Sequence, residues 1–433
     1  AKSSSEAVLK WAKKVGEPFD EKTYANNTVS KIKLVGNYLY VADDAKHRIM
    51  KIDKKDGTIL KEQKYCDESY IQGYVSSIGY GDGKVYVGYD NGRVQAFDEN
   101  TLESLWITDE NKNAINSDFV FTNGKLYFGT TAKTTDWYDN GAPFSYYVVT
   151  TSDDDKTKPD EEKTMKKVVE SKTGKFYLKK GVVLGKYIVI SDTAGTLTMI
   201  DTTNDKVTDT KDIGEAFSGN ITYDEMTGTI YFVAGTNDLY GIKVSADGKL
   251  KDEKKVRLYE TGYSSTTPEV YNGKVYVSGS KGKAFQDKGY MAVADVSSDK
   301  YKVNYTVELS NYSQCEPTIV KTGENSVRVY FTINDEPGGI YAIEDSKDAT
   351  SATLETVYEP TGDIKNTGCM SDVVVDEDGT IYFANDSKYI MSVGKKVEDT
   401  KKPVTKTVKS TRSVKLTWKK KKSAKGYVIY AKA

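Results

Sequence analysis

Asp82-Gly83-Lys84-Val85-Tyr86-Val87, running on to Gly92-Arg93-Val94-Gln95-Ala96-Phe97-Asp98, is a turn and an apolar strand followed by a second turn and a second strand. Its first half returns along the chain as VGNYLYV at 35–41, NGKLYF at 123–128, LGKYIV at 184–189, TGTIYF at 227–232, NGKVYV at 272–277, NSVRVYF at 325–331 and DGTIYF at 378–383. Measured at Tyr40, Tyr86, Tyr127, Ile188, Tyr231, Tyr276, Tyr330 and Tyr382, successive copies lie 41 to 61 residues apart. That is the length of a four-stranded blade, so the sequence predicts an all-β, eight-bladed propeller.

Each copy reads as the first strand of its blade, followed by a second strand such as Ile49 to Asp53, Leu197 to Asp201 or Met291 to Asp295. An outer strand of mixed charged and apolar residues comes next, as in Gly57 to Lys64, Leu102 to Thr108, Lys206 to Ile213 and Tyr301 to Leu309. The eighth unit has no outer strand before Pro403, whereas Ala7-Val8-Leu9-Lys10-Trp11 near the N-terminus is similar to Leu102-Glu103-Ser104-Leu105-Trp106. Residues 7 to 16 are therefore expected to close the last blade, which removes the open sheet edge.

Composition narrows function without naming it. Of 433 residues, 38% are hydrophobic, and 62 basic against 63 acidic residues leave a net charge of −1. Lysines and carboxylates are interleaved, so no basic stripe for a nucleic acid is expected. No apolar run approaches the roughly 18 residues that would insert in a membrane. The residues Ala1 to Glu6 read as a polar stretch left after a leader or after an engineered cut, and secretion is an inference from the first. Three scattered cysteines, Cys66, Cys315 and Cys369, form neither a disulfide framework nor a zinc set, and the sequence leaves open whether Cys315 and Cys369 pair.

The stretch from Gly83 through Gly92 to Asp98, Thr101 and Trp106 resembles the repeat of pyrroloquinoline-quinone-type, or quinoprotein-like, propellers over about residues 1–398. In that family's pattern, Ala-x-Asp-x-x-Thr-Gly-x-x-x-Trp, the chain departs at Leu102, where glycine is expected, and only the N-terminal strand repeats the tryptophan. Quinone use, as the resemblance implies it, would call for adjacent cysteines, a tryptophan floor and a calcium ion. Adjacent cysteines are lacking, and Trp11, Trp106, Trp137 and Trp418 are all placed elsewhere, so no cofactor is expected. After a linker at 399–404, residues 405–433 resemble the first half of a fibronectin type III module, with Trp418 and Tyr427 as its core pair and the chain expected to end inside it.

Catalytic signatures are sparse. The single histidine, His47, lies in a turn and no Gly-x-Ser-x-Gly elbow accompanies it, which argues against Ser-His and Cys-His chemistry. Asp153-Asp154-Asp155 and Asp160-Glu161-Glu162 lack the EF-hand spacing and read as a solvated, mobile loop, so no metal site is assigned. The stronger signal lies just before each repeat, where aromatic residues precede small hydroxyl, amide or acidic ones. Tyr74, Ser76, Asp118, Phe217, Asn220, Tyr263, Ser265, Tyr312, Gln314, Glu316 and Asp372 are the candidate ligand-binding residues, suited to stacking and hydrogen bonding at a channel mouth. The competing reading is that they satisfy backbone groups and pack neighbouring blades. A second candidate is the insertion from Thr130 to Lys163, with Trp137, Tyr138, Phe144, Tyr146 and Tyr147, although the last two also suit a strand.

The sequence reading is thus a monomeric, non-enzymatic propeller, secreted or on the surface of a Gram-positive-like bacterium, that recognises a glycan, peptide or protein. The alternative is a carbohydrate-active or other enzyme using carboxylates in the funnel.

Overall fold

A computed structural model describes residues 7–17, 29–66, 69–71, 77–133, 141–158, 160–217, 219–396, 406–409 and 414–419. The chain divides into two units, Ala1–Gly394 and Lys395–Ala433. The first holds eight sheets, six of four strands and two of five, among the described residues. These are the eight expected blades. The second unit shows one hairpin, Lys406–Lys409 paired with Val414–Thr417; Tyr427 lies outside the described residues.

The recurring phrase forms the second strand of each blade, not the first. An innermost strand of two to four residues precedes it: Lys33–Val35, Gly79–Gly81, Val120–Thr122, Val182–Leu184, Thr222–Asp224, Glu269–Tyr271, Thr318–Lys321 and Val374–Val375. The turn between them is set by residue choice. At Asp82-Gly83 both φ angles are positive (54° and 67°), the two-residue geometry that Asp-Gly favours between twisted strands. Second and third strands are buried on both faces, because each blade is packed between two others; Lys274–Ser280 is buried at every residue. Outer strands such as Lys302–Leu309 alternate instead, with one face in solvent.

In several blades the repeat tyrosine uses its ring for this burial and its hydroxyl for the next blade, whereas Tyr86 donates to the Gly81 carbonyl of its own blade. Tyr40 donates to the Glu99 carbonyl at 2.6 Å, Tyr127 to Asp205 at 2.6 Å and Tyr276 to Asp345 at 2.7 Å. Lys274 and Tyr305 also bond Asp345, so this carboxylate, 3% exposed, is fully answered.

Closure follows the expectation. Ala7–Lys14 lies beside Tyr389–Lys395 in the eighth sheet, and Val15 N–H donates to the Lys388 carbonyl at 2.9 Å. Trp11 donates its indole N–H to the Lys54 carbonyl of blade one at 3.0 Å, with its ring 6.1 Å from that of Tyr382. Trp106 repeats the contact from blade two to blade three, donating to the Thr151 carbonyl at 3.1 Å. Gly57 makes the first dock possible: its φ is +75°, and a Cβ there would stand 2.7 Å from the Trp11 ring. Leu102 occupies the matching place in blade two, also left-handed at φ 59°, with its side chain fully buried between blades one and two. Gly57 and Leu102 each donate N–H to the strand-ending aspartate four residues earlier, at 2.9 Å, so the turn is the same.

The acidic insertion corrects the sequence reading. Glu161–Lys163 forms a parallel fifth strand on the outer edge of blade two, paired with Trp106 to Thr108. Lys163 is 6% exposed; its ammonium donates to Thr150 O at 3.0 Å and lies 5.3 Å from the Trp106 ring centre. Asp153 to Lys158 is a loop, as expected, tied back by the Asp154 and Asp155 backbone N–H groups, which bond Glu161; the departure is the strand Glu161–Lys163. Phe144 and Tyr146 belong to the strand Phe144–Thr150 and are buried in blade three; Trp137 and Tyr138 lie outside the described residues.

Candidate functional site

The segments leading into the innermost strands share one register. Two residues before each strand stand Lys31, Ser77, Asp118, Lys180, Asn220, Thr267, Glu316 and Asp372, one per blade. The residue before them is a backbone clamp in four blades. Ser30, Ser117, Cys315 and Ser371 accept N–H bonds from Ala42, Gly129, Thr332 and Ala384 of their own second strands, at 2.8 to 3.2 Å. The three serines also donate to the carbonyls of Lys31, Asp118 and Asp372. Cys315 is therefore a thiol in a serine's place. Its sulfur and that of Cys369 are buried and free, and burial raises both thiols above their ordinary range.

This register carries a charged network. Lys31 of blade one pairs with Asp372 of blade eight at 2.8 Å, and Lys180 of blade four pairs with Glu316 of blade seven at 3.3 Å. Backbone bonds continue it: Glu316 N–H donates to Asp372 at 2.9 Å, Lys180 N–H to Asn220 at 2.8 Å, and Asn220 N–H to Thr267 at 3.1 Å. Glu269, the first residue of blade six's innermost strand, lines one cavity with Glu316. Burial, and then the Glu316 charge, pushes Glu269 up to about 7; burial also raises Glu316, against the pull of Lys180. Burial opposes the Lys31 charge, but Asp372, Asp118 and Glu316 outweigh it and hold its pKa above the ordinary lysine range. A cavity of about 520 Å³ is lined by Glu269, Tyr271, Glu316, Thr318 and Asp372.

Of the residues named from sequence, Asp118, Asn220, Glu316 and Asp372 meet in this ring. Tyr74 and Ser76 lie outside the described residues. Phe217 is 4% exposed, stacked on Phe232 at 4.9 Å, and its carbonyl accepts from the buried Lys179 ammonium at 2.8 Å. Tyr312 is buried and bonds the Ser265 N–H and hydroxyl. Gln314 accepts from Asn334 at 2.7 Å. Tyr263 is half-buried; its backbone bridges Ser280, and its ring lies 5.6 Å from that of Tyr312.

Four residues were missed. Lys31 and Lys180 share the register of the acids named, which a blade-by-blade alignment counted back from the innermost strand would have revealed. Glu269 lies two residues further on and had no such signal. Phe285 sits in the hairpin between Lys274–Ser280 and Gly289–Asp295, is 57% exposed, and has φ +66°, a rare conformation for an aromatic residue. The hairpin is held by Asp287, which accepts from Lys283 N–H at 2.6 Å, and by Ser280 bonding Gly282 O at 3.0 Å. The Phe285 ring meets Tyr312 edge-on at 6.5 Å, giving a Tyr263–Tyr312–Phe285 row.

His47 bonds the Ser69 carbonyl at 2.8 Å in its turn. Among the described residues no three His, Cys, Asp or Glu side chains are grouped to hold a metal ion, and no helix is long and apolar enough to cross a membrane.

No family model matches the chain, and no curated protein matches it. Among solved structures it is similar to BamB from Moraxella catarrhalis, with 12% identity and a TM-score of 0.58 over 89% of this chain and 98% of that one. It is also similar to the computationally designed Ika8 protein, with 10% identity and a TM-score of 0.57 over 85% and 96%. At such identities the likeness is one of fold, and the fold is an eight-bladed β-propeller.

Proposed function

We propose that this chain is a non-enzymatic binding or scaffold propeller, secreted or displayed on a cell surface, that docks a protein partner on the face carrying its lead-in segments. The observation that carries this reading is Phe285. An aromatic ring more than half exposed, on a hairpin pinned by Asp287 and backed by Tyr312 and Tyr263, has the form of an interface anchor. The fold likeness to BamB is compatible with it. The test is capture of a partner by the wild-type chain and by Phe285→Ala and Tyr263→Ala. Loss of capture with unchanged melting supports the reading, and capture unaffected by both changes overturns it. Glycan-array binding lost in Tyr263→Ala would move the ligand class to a carbohydrate.

The Glu269–Glu316 pair is the one observation favouring the alternative, carboxylate catalysis in the funnel. One feature weighs against it: Glu316 is tied to Lys180. Loss of a turnover in Glu269→Gln would revive the enzyme reading.

A further inference from the structure

We propose that the strap Glu161–Lys163 covers a latent self-association edge: where it is lifted, the outer strand of blade two, Ser104–Thr108, pairs with the same strand of a second copy of this chain. Two independent observations meet on this blade. Among the described residues its outer strand alone carries a further strand on its outer side, whereas the outer strands of the other seven blades end their sheets. It is also the one outer strand of the eight without a charged residue. Ser104-Leu105-Trp106-Ile107-Thr108 contrasts with Ile59–Lys64, Lys166–Ser171, Lys206–Asp212, Leu250–Arg257, Lys302–Leu309, Glu355–Tyr358 and Ala7–Lys14, each of which holds at least one lysine or carboxylate. Charged side chains keep other chains off an open edge, and an uncharged edge needs a cover instead.

The cover is lent by blade three. Between that blade's strands Phe144–Thr150 and Lys166–Ser171 the chain turns back and runs parallel to Trp106–Thr108 of blade two. Asp109 N–H donates to the Lys163 carbonyl at 2.9 Å, and Met165 N–H donates to the Asp109 carboxylate at 3.1 Å. At the other end the Ser104 hydroxyl bonds Asp160. Lys163, 6% exposed, is the pin: its ammonium donates to the Thr150 carbonyl at 3.0 Å and hydroxyl at 3.2 Å, and lies over the Trp106 ring. With three paired residues, the strap rests on these few bonds and opens more readily than the blades it joins.

The bared edge suits its own copy. Across a two-fold axis two Ser104–Thr108 strands run antiparallel, so the same surface serves both partners. Within the strand no like charges come opposite one another, because charges begin only outside it, at Glu103 and Asp109. Lifting the strap leaves a row of backbone N–H and C=O groups without their strand partner, and the second copy answers them in kind. The strap is thus an autoinhibitory contact that keeps the propeller single.

The test is the mass of the full chain in solution, followed by sedimentation equilibrium as concentration rises. The wild type is expected to keep the mass of one chain, and Glu161→Pro with Lys163→Ala, which lifts the strap, to reach that of two. Adding Ser104→Lys, which gives this edge the charge its counterparts carry, should return the mass to one chain. A strap variant that stays at one chain overturns the proposal. So does a pair that Ser104→Lys leaves intact, since its contact then lies elsewhere, and so does growth beyond two chains, since that contact is not two-fold. Should the double variant fail to fold, Lys163→Ala alone, which removes the pin and keeps the strand, is read in the same way: pairing at high concentration is expected, and one-chain mass throughout overturns the proposal.

Discussion

The seam between blades eight and one and the neighbouring interface between blades one and two use the same turn in opposite ways. At the seam, Trp11 lies on Gly57, where a Cβ would meet its ring at 2.7 Å. One interface further, Leu102 holds the left-handed position of Gly57, and blade one's outer strand, Ile59–Lys64, carries no tryptophan. There the leucine side chain is itself buried in the space between the blades. Tryptophan and glycine are thus one device, exchanged together, and the departure of Leu102 from the repeat pattern reflects a different filling of the same gap.

This contrast can be broken in graded steps. Removing residues 1–16 takes away the eighth blade's outer strand and the Trp11 dock together; loss of a single cooperative melting transition is expected, read by circular dichroism. Gly57→Leu places a side chain into the Trp11 ring on a left-handed backbone, and should cost about 3 kcal/mol or more in a denaturant titration. Adding Trp11→Ala should recover part of that loss, a non-additivity typical of residues in contact. Strictly additive effects would separate the two residues. Leu102→Gly relieves backbone strain of about 1–2 kcal/mol but empties a buried site worth about 2–5 kcal/mol, so a net loss of roughly 1–3 kcal/mol is expected. Phe285→Ala should change stability by no more than about 0.5 kcal/mol, since its ring is mainly exposed, while abolishing partner capture.

The difference also explains what could be read from the chain. The eight phrases, the turn residues and the likeness of Ala7–Trp11 to Leu102–Trp106 gave blade number and closure, because each is a local signal repeated at blade length. The innermost strands escaped notice: a segment such as Gly79–Gly81 is too short to show any alternation. Half of the axial ring was legible through Asp118, Asn220, Glu316 and Asp372, which stand among turn-forming polar residues. Lys31 and Lys180 were not, since lysine normally marks a solvated face, and only cross-channel pairing with Asp372 and Glu316 brings them inward. The Glu161–Lys163 strap was misread for a related reason. Its acids suggested solvent, whereas the site is decided by Lys163 reaching back to Thr150 and over Trp106.

Exchange at the amides of Tyr389–Lys395, compared between the full chain and one beginning at residue 17, tests ring closure by the N-terminal strand. Slow exchange that becomes fast when Ala7–Lys14 is missing is the expected result, because those amides then lie on an open edge. Equal protection in the two chains would mean that another segment pairs with that strand, and the eight-bladed closure described would be contradicted.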